Sequence, residues 1–217
     1  MMDAHITDAA NGTGLGFVHR FVPATQAGLP PLLLLHGTGG DETDLIPLGR
    51  TLAPGAALLS ARGPVLENGM PRFFRRLAEG VFDEDDLRRR ASDLADFIAA
   101  ARVAYGLAAP VAVGFSNGAN IAAALLLLRP DALAGAALLR PMLPLARTPS
   151  VDLAGRPVLM LSGAADPIVP ATNVQSLAER LRSANARVTH ETLPAGHGLT
   201  QADVTRAGAW IEGLSAR

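Results

Sequence analysis

The sequence predicts an α/β fold in which a mostly parallel sheet carries helices on both faces. Three observations lead there. Short continuous apolar runs such as Leu32-Leu33-Leu34-Leu35 have the composition of strands buried on both sides. Between these runs lie segments whose apolar residues recur at three and four, the alternation that βαβ units require. Loops bearing glycine, aspartate or histidine directly follow the runs, at the carboxyl ends of strands where open α/β sheets place their ligands.

Residues 1–16 form an irregular N-terminal segment of turn formers with little periodicity. Their Gly12-Thr13-Gly14-Leu15-Gly16 cluster has no preceding strand, no Gly-x-Gly-x-x-Gly spacing and no following lysine, which rejects a nucleotide loop. Residues 17–22 read as a short edge strand closed by Pro23. The buried strand 32–35 runs into His36-Gly37-Thr38-Gly39-Gly40-Asp41, and a short helix over 45–52 and a second buried strand over 56–60 follow. Residues 61–82 read as one long irregular segment, and loops of that length in compact domains are usually functional. From Leu87 the apolar positions Ala91, Leu94, Ala95, Ile98 and Ala101 define a helix face opposite Arg88, Arg89, Asp93 and Asp96. The run Asp83-Glu84-Asp85-Asp86 complements the positive end of that helix's dipole and reads as a solvated helix start. A strand at 111–115 leads into an apolar helix stopped by Arg129-Pro130, and strands at 133–139, 157–162 and 188–193 follow, with helices around 174–181 and 204–214. The stretch between Leu139 and Pro157 is too short for an inserted cap domain, so an open site is expected.

A chain of 217 residues fits one domain that buries its core without disulfides. The absence of cysteine excludes thiol nucleophiles, thiolate metal sites and redox motifs. With 19 basic and 20 acidic residues there is no electrostatic footprint for nucleic acid or an anionic membrane, and a small, largely apolar partner is expected. Residues 121–128, the most apolar run, fall well short of the roughly 20 residues of a membrane span, and the N-terminus lacks the n- and h-regions of a secretory signal. A cytoplasmic protein without stable membrane insertion is therefore expected, with a homodimer left open. The five histidines form neither His-Glu-x-x-His nor any paired spacing, so no metal and no cofactor are expected.

The chemistry centres on Gly114-Phe115-Ser116-Asn117-Gly118, which passes from an apolar strand into an apolar helix. That context lets a serine stand exposed on a sharp, strained turn, with glycines where a Cβ would crowd it. A serine hydroxyl is a poor nucleophile at neutral pH and needs a base held by a third group. Asp166 follows the strand at 157–162 and His197 follows the strand at 188–193, so all three groups sit at carboxyl ends of strands. Their order along the chain, Ser-Asp-His, is that of the α/β-hydrolases. The rivals lack this placement: His190 lies inside a strand, His36 braces the loop after its own strand, His5 and His19 fall in the poorly patterned N-terminus, and Asp131 and Asp152 precede the penultimate strand. For an oxyanion, the backbone N–H of Asn117 at the helix N-terminus is one expected donor, and that of Thr38 in the glycine-rich loop is the other.

Taken together, His36-Gly37-Thr38-Gly39-Gly40-Asp41, Gly114-Phe115-Ser116-Asn117-Gly118, Ala165-Asp166-Pro167-Ile168-Val169-Pro170 and Gly196-His197 resemble the phospholipase/carboxylesterase family of α/β-hydrolases, which includes acyl-protein thioesterases. Residues 62–76 are similar to a bacterial carboxylesterase branch linked with quinone stress. The resemblance implies a Ser116-Asp166-His197 triad, with Thr38 and Asn117 as oxyanion donors. Acyl-protein thioesterases typically carry Gln after the serine and an aromatic-aromatic-Asp sequence, where this chain has Asn117 and Pro71-Arg72-Phe73-Phe74. That departure favours a small carboxylic ester over a lipidated protein. Phe73, Phe74, Met142, Leu143 and Ile168 are candidate pocket walls. The alternatives are an acyl thioesterase or lysophospholipase and a non-enzymatic ligand-binding member of the fold.

Overall fold

The computed structural model describes residues 15–215, so Gly12 to Gly14 and His5 lie outside the described residues. In chain order the elements are β1 (His19–Val22), β2 (Leu32–Leu35), α1 (Ile46–Leu52), β3 (Leu58–Ala61), β4 (Val65–Glu67), β5 (Met70–Arg72), β6 (Arg76–Ala78), β7 (Val81–Phe82) and α2 (Glu84–Tyr105). The second half comprises β8 (Val111–Phe115), α3 (Asn117–Leu128), β9 (Gly135–Leu139), β10 (Pro157–Gly163), α4 (Ala171–Ser183), β11 (Arg187–Leu193) and α5 (Gln201–Ser215). Seven strands form one sheet in the order β1-β3-β2-β8-β9-β10-β11. Every pairing from β3 to β11 is parallel, and β1 joins the edge antiparallel to β3.

Period-two alternation divides the apolar strands between two cores. Leu33, Leu35, Leu59, Ala112 and Met160 pack with α2, α3 and α4 on one face. Leu32, Leu34, Leu58, Val113 and Leu161 pack with α1 and α5 on the other. Since both faces are covered, all four leucines of β2 are fully buried, and the run is continuous rather than alternating. Helix α3 is apolar around its circumference because it lies between the sheet and α2, with 117 through 127 buried.

Two expectations need correction. Residues 61–82 are not irregular: β4–β5 and β6–β7 are antiparallel hairpins. The first turns at Asn68-Gly69, both at positive φ, a dipeptide suited to a tight hairpin turn, but strands of three residues are too short to show alternation. The acidic run is also only partly solvated. Asp83 caps α2 by accepting the Asp86 N–H, whereas Asp86 is 2% exposed and accepts the Arg75 N–H at 2.9 Å, fastening the hairpin segment to the helix. Among the described residues no helix or strand separates β9 from β10, so no cap domain is inserted there; the hairpins wall the site instead.

Candidate active site

Ser116 occupies the single residue between β8 and α3, at φ 51° and ψ −112°, a backbone state rarely held by a non-glycine residue. The neighbouring glycines make the turn fit. A Cβ on Gly118 would collide with the carbonyl of Leu35 at the end of β2, and one on Gly114 would strike the Gly118 backbone. This close approach seats the N-terminus of α3 against the end of β2, bringing the 36–40 loop beside Ser116.

The three predicted residues form one hydrogen-bonded chain. His197 Nε2 lies 2.9 Å from Ser116 Oγ, and His197 Nδ1 lies 2.8 Å from Asp166 Oδ2. The other carboxylate oxygen of Asp166 accepts the N–H groups of Ile168 at 2.8 Å and Val169 at 3.1 Å. Burial pushes the Asp166 carboxyl up, but these two N–H bonds and the imidazole outweigh it and hold the group below its ordinary value. An ionised Asp166 fixes the proton on Nδ1 and leaves Nε2 free to accept from the serine. The Phe115 ring packs against the imidazole, with centroids 5.5 Å apart.

Sequence reasoning did not find the residue that holds the histidine loop. Arg140, fully buried at φ 57°, donates through Nε to Gly196 O at 2.9 Å and through Nη2 to Gly198 O at 3.1 Å, gripping the chain on both sides of His197. Its charge is matched by Asp203 of α5. The acid and base loops are also joined directly, since Ala165 N–H donates to Ala195 O at 3.0 Å and a Cβ on Gly163 would meet the Ala195 and Gly196 carbonyls. The one sequence signal here was Thr200-x-x-Asp203, which reads as a helix start.

A cleft of about 270 Å³ opens on Ser116 and His197. Both predicted oxyanion donors, Thr38 and Asn117, line it, as do Met142 and Ile168. Phe73 and Phe74 do not: they are 1% and 0% exposed, packed against His36 and Phe82 respectively beneath the cleft. Leu143 packs against the core instead. Phe82, Phe115, Arg72, Arg76 and Glu79 also line the cleft, so apolar rings and charged side chains share the wall.

The three other histidines among the described residues have structural partners. His36 is 1% exposed; its Nε2 accepts the Gly63 N–H at 2.9 Å and its Nδ1 donates to Gly37 O, bracing the loop as expected. Burial is the main cause of its lowered pKa. His190 pairs with Ser162 Oγ at 2.9 Å on the far side of β10. His19 opens β1, inside the edge strand expected over 17–22, and pairs with the Tyr105 hydroxyl at 2.8 Å.

The sequence model described as Phospholipase/Carboxylesterase matches residues 22–214. The chain is 49% identical over 183 residues to the Bacillus subtilis (strain 168) protein MhqD, covering 83% of this chain and 92% of that one. The crystal structure of the Bacillus cereus carboxylesterase superposes with a TM-score of 0.88 at 46% identity, covering 91% of this chain and 94% of that chain. A carboxylesterase from Mesorhizobium loti gives 0.88 at 36% identity, with 93% and 97% covered.

Proposed function

The chain belongs to the phospholipase/carboxylesterase family, and we propose that it is a serine carboxylesterase acting on small carboxylic esters through an acyl-enzyme. The observation that carries this reading is the unbroken chain from Ser116 Oγ through His197 to Asp166, at 2.9 and 2.8 Å. His197 takes the serine proton as Oγ attacks the ester carbonyl. The resulting oxyanion is received by the backbone N–H groups of Thr38 and Asn117, the second strengthened by the α3 dipole. His197 then gives its proton to the departing alcohol, and water repeats the sequence to release the acid. Asp166 stays ionised throughout.

The size of the cleft supports short acyl groups, since about 270 Å³ lies at or below the lower end of ordinary small-molecule pockets. A series of p-nitrophenyl esters and acyl thioesters of increasing chain length tests this. The expected result is kcat/KM that peaks at short esters and disappears in Ser116→Ala. Efficiency that climbs with chain length would instead identify a thioesterase or lysophospholipase, and full turnover by Ser116→Ala would remove the serine mechanism.

A further inference from the structure

We propose that segment 71–73 is a strap that fixes both halves of the oxyanion hole, with Arg72 as its positioning side chain; the inference rests on the serine-esterase reading above. Three consecutive residues reach three sites on the hole. Pro71 O accepts the Gly39 N–H at 2.9 Å, Arg72 Nη1 donates to Thr38 Oγ1, and Phe73 N–H donates to Asn117 Oδ1 at 2.8 Å. Thr38 and Asn117 are the two residues whose backbone N–H groups are to meet the oxyanion, so one stretch of β5 and the residue after it holds each of them from behind.

The need for a strap follows from the loop itself. Thr38 is exposed and flanked by Gly37, Gly39 and Gly40, with Gly39 at φ 86°, so its own backbone does little to fix where the Thr38 N–H points. Arg72 is well placed to supply that restraint. It is 3% exposed, its Nε donates to Phe74 O at 3.2 Å and lies 3.0 Å from Glu67, and Glu67 in turn accepts from Arg76 of the second hairpin at 2.8 Å. A guanidinium held in this way is a rigid fork rather than a mobile surface arm. On the other half of the hole, Asn117 Nδ2 is buried without a hydrogen-bond partner among the described residues, whereas its Oδ1 accepts from the strap. The departure from the aromatic-aromatic-Asp pattern at Arg72 therefore has a structural consequence: it supplies the donor that reaches Thr38.

Thr38→Val tests the strap, because it keeps the backbone N–H and the β-branched shape and replaces the hydroxyl by a methyl group; since Thr38 also lines the cleft, KM is read beside kcat. With p-nitrophenyl acetate, the variant is expected to lose about tenfold in kcat with KM within about twofold, and to bind a trifluoromethyl ketone oxyanion mimic about tenfold more weakly. Thr38→Ser, which restores the hydroxyl, returns kcat to within about twofold of the parent. Arg72→Gln loses kcat in the same way, and Thr38→Val/Arg72→Gln falls no further than the worse single variant. Thr38→Val turning over at the parental rate overturns the proposal, as does Arg72→Gln raising KM alone, which would place Arg72 on the substrate. Ser116→Ala in the same assay keeps the two claims apart: if it is inactive while Thr38→Val is unimpaired, the strap fails and the esterase reading stands.

Discussion

Arg140 and Asp203 form an ion pair from which water is excluded on both sides, the guanidinium 0% and the carboxylate 1% exposed, with paired contacts of 2.7 and 2.9 Å. The same guanidinium holds the carbonyls of Gly196 and Gly198, so a charge pair in the core fixes the loop that presents His197. Breaking such a pair from one side leaves the other charge buried and unmatched. Asp203→Ala is expected to cost about 3–5 kcal/mol in denaturant unfolding. Arg140→Lys should fold but lose more in kcat than in KM, because an ammonium does not reproduce the planar fork that spans Asp203 and both carbonyls. Equal kcat in Arg140→Lys would show that the His197 loop is held by other contacts.

Acid stability should carry the signature of this pair. Burial pushes the Asp203 carboxyl up, but bonds from Arg140 and from the Thr200 N–H and hydroxyl outweigh it and lower its pKa. A lowered folded-state value means that the unfolded chain takes up the proton first on acidification. The contribution is complete above the ordinary carboxylate range and is lost as pH falls through the lowered folded value. The stability difference between the parent and Asp203→Asn, followed by urea unfolding across pH, should shrink toward acid.

His36 adds a second acid sensitivity that begins at higher pH. Burial lowers its pKa against the opposing effects of the Gly37 carbonyl and of Asp44, Asp41 and Glu42, and its Nε2 must stay unprotonated to accept the Gly63 N–H. Protons therefore bind the unfolded chain first, and stability declines from the ordinary imidazole range down to the lowered folded value. His36→Gln should flatten this part of the stability–pH curve; an unchanged slope would assign the loss to other groups.

Gly118→Ala tests the close approach behind Ser116. The added methyl meets the Leu35 carbonyl, which is strand backbone and has little room to move. Ester turnover should fall by at least about a hundredfold, since small displacements at a reacting centre are costly. Retained activity would mean that the nucleophile turn tolerates a wider gap to β2.

Much of this arrangement was legible in the sequence because it follows from burial and strand polarity. The leucines of β2 are continuous since both sheet faces are covered, and parallel strands bring the residues after β8, β10 and β11 to one edge, where Ser116, Asp166 and His197 meet. What stayed hidden depends on tertiary contact. Arg140 reads as an ordinary loop cation until its Asp203 partner, sixty-three positions away, is known. Phe73 and Phe74 look like wall residues by composition, yet they turn inward, and Phe73 reaches the site through its backbone N–H instead. The hairpins escaped notice because their strands are so short, although Asn68-Gly69 marked the first turn.

As the nucleophile of an acyl-enzyme mechanism, Ser116 must become acylated during turnover. Rapid-quench intact-mass spectrometry with a short p-nitrophenyl ester, followed by peptide mapping, tests it directly. A transient adduct of one acyl group is expected on the peptide containing Ser116, absent in Ser116→Ala and formed far more slowly in His197→Ala. Ester turnover with no adduct, or with the acyl group on another residue, would contradict it.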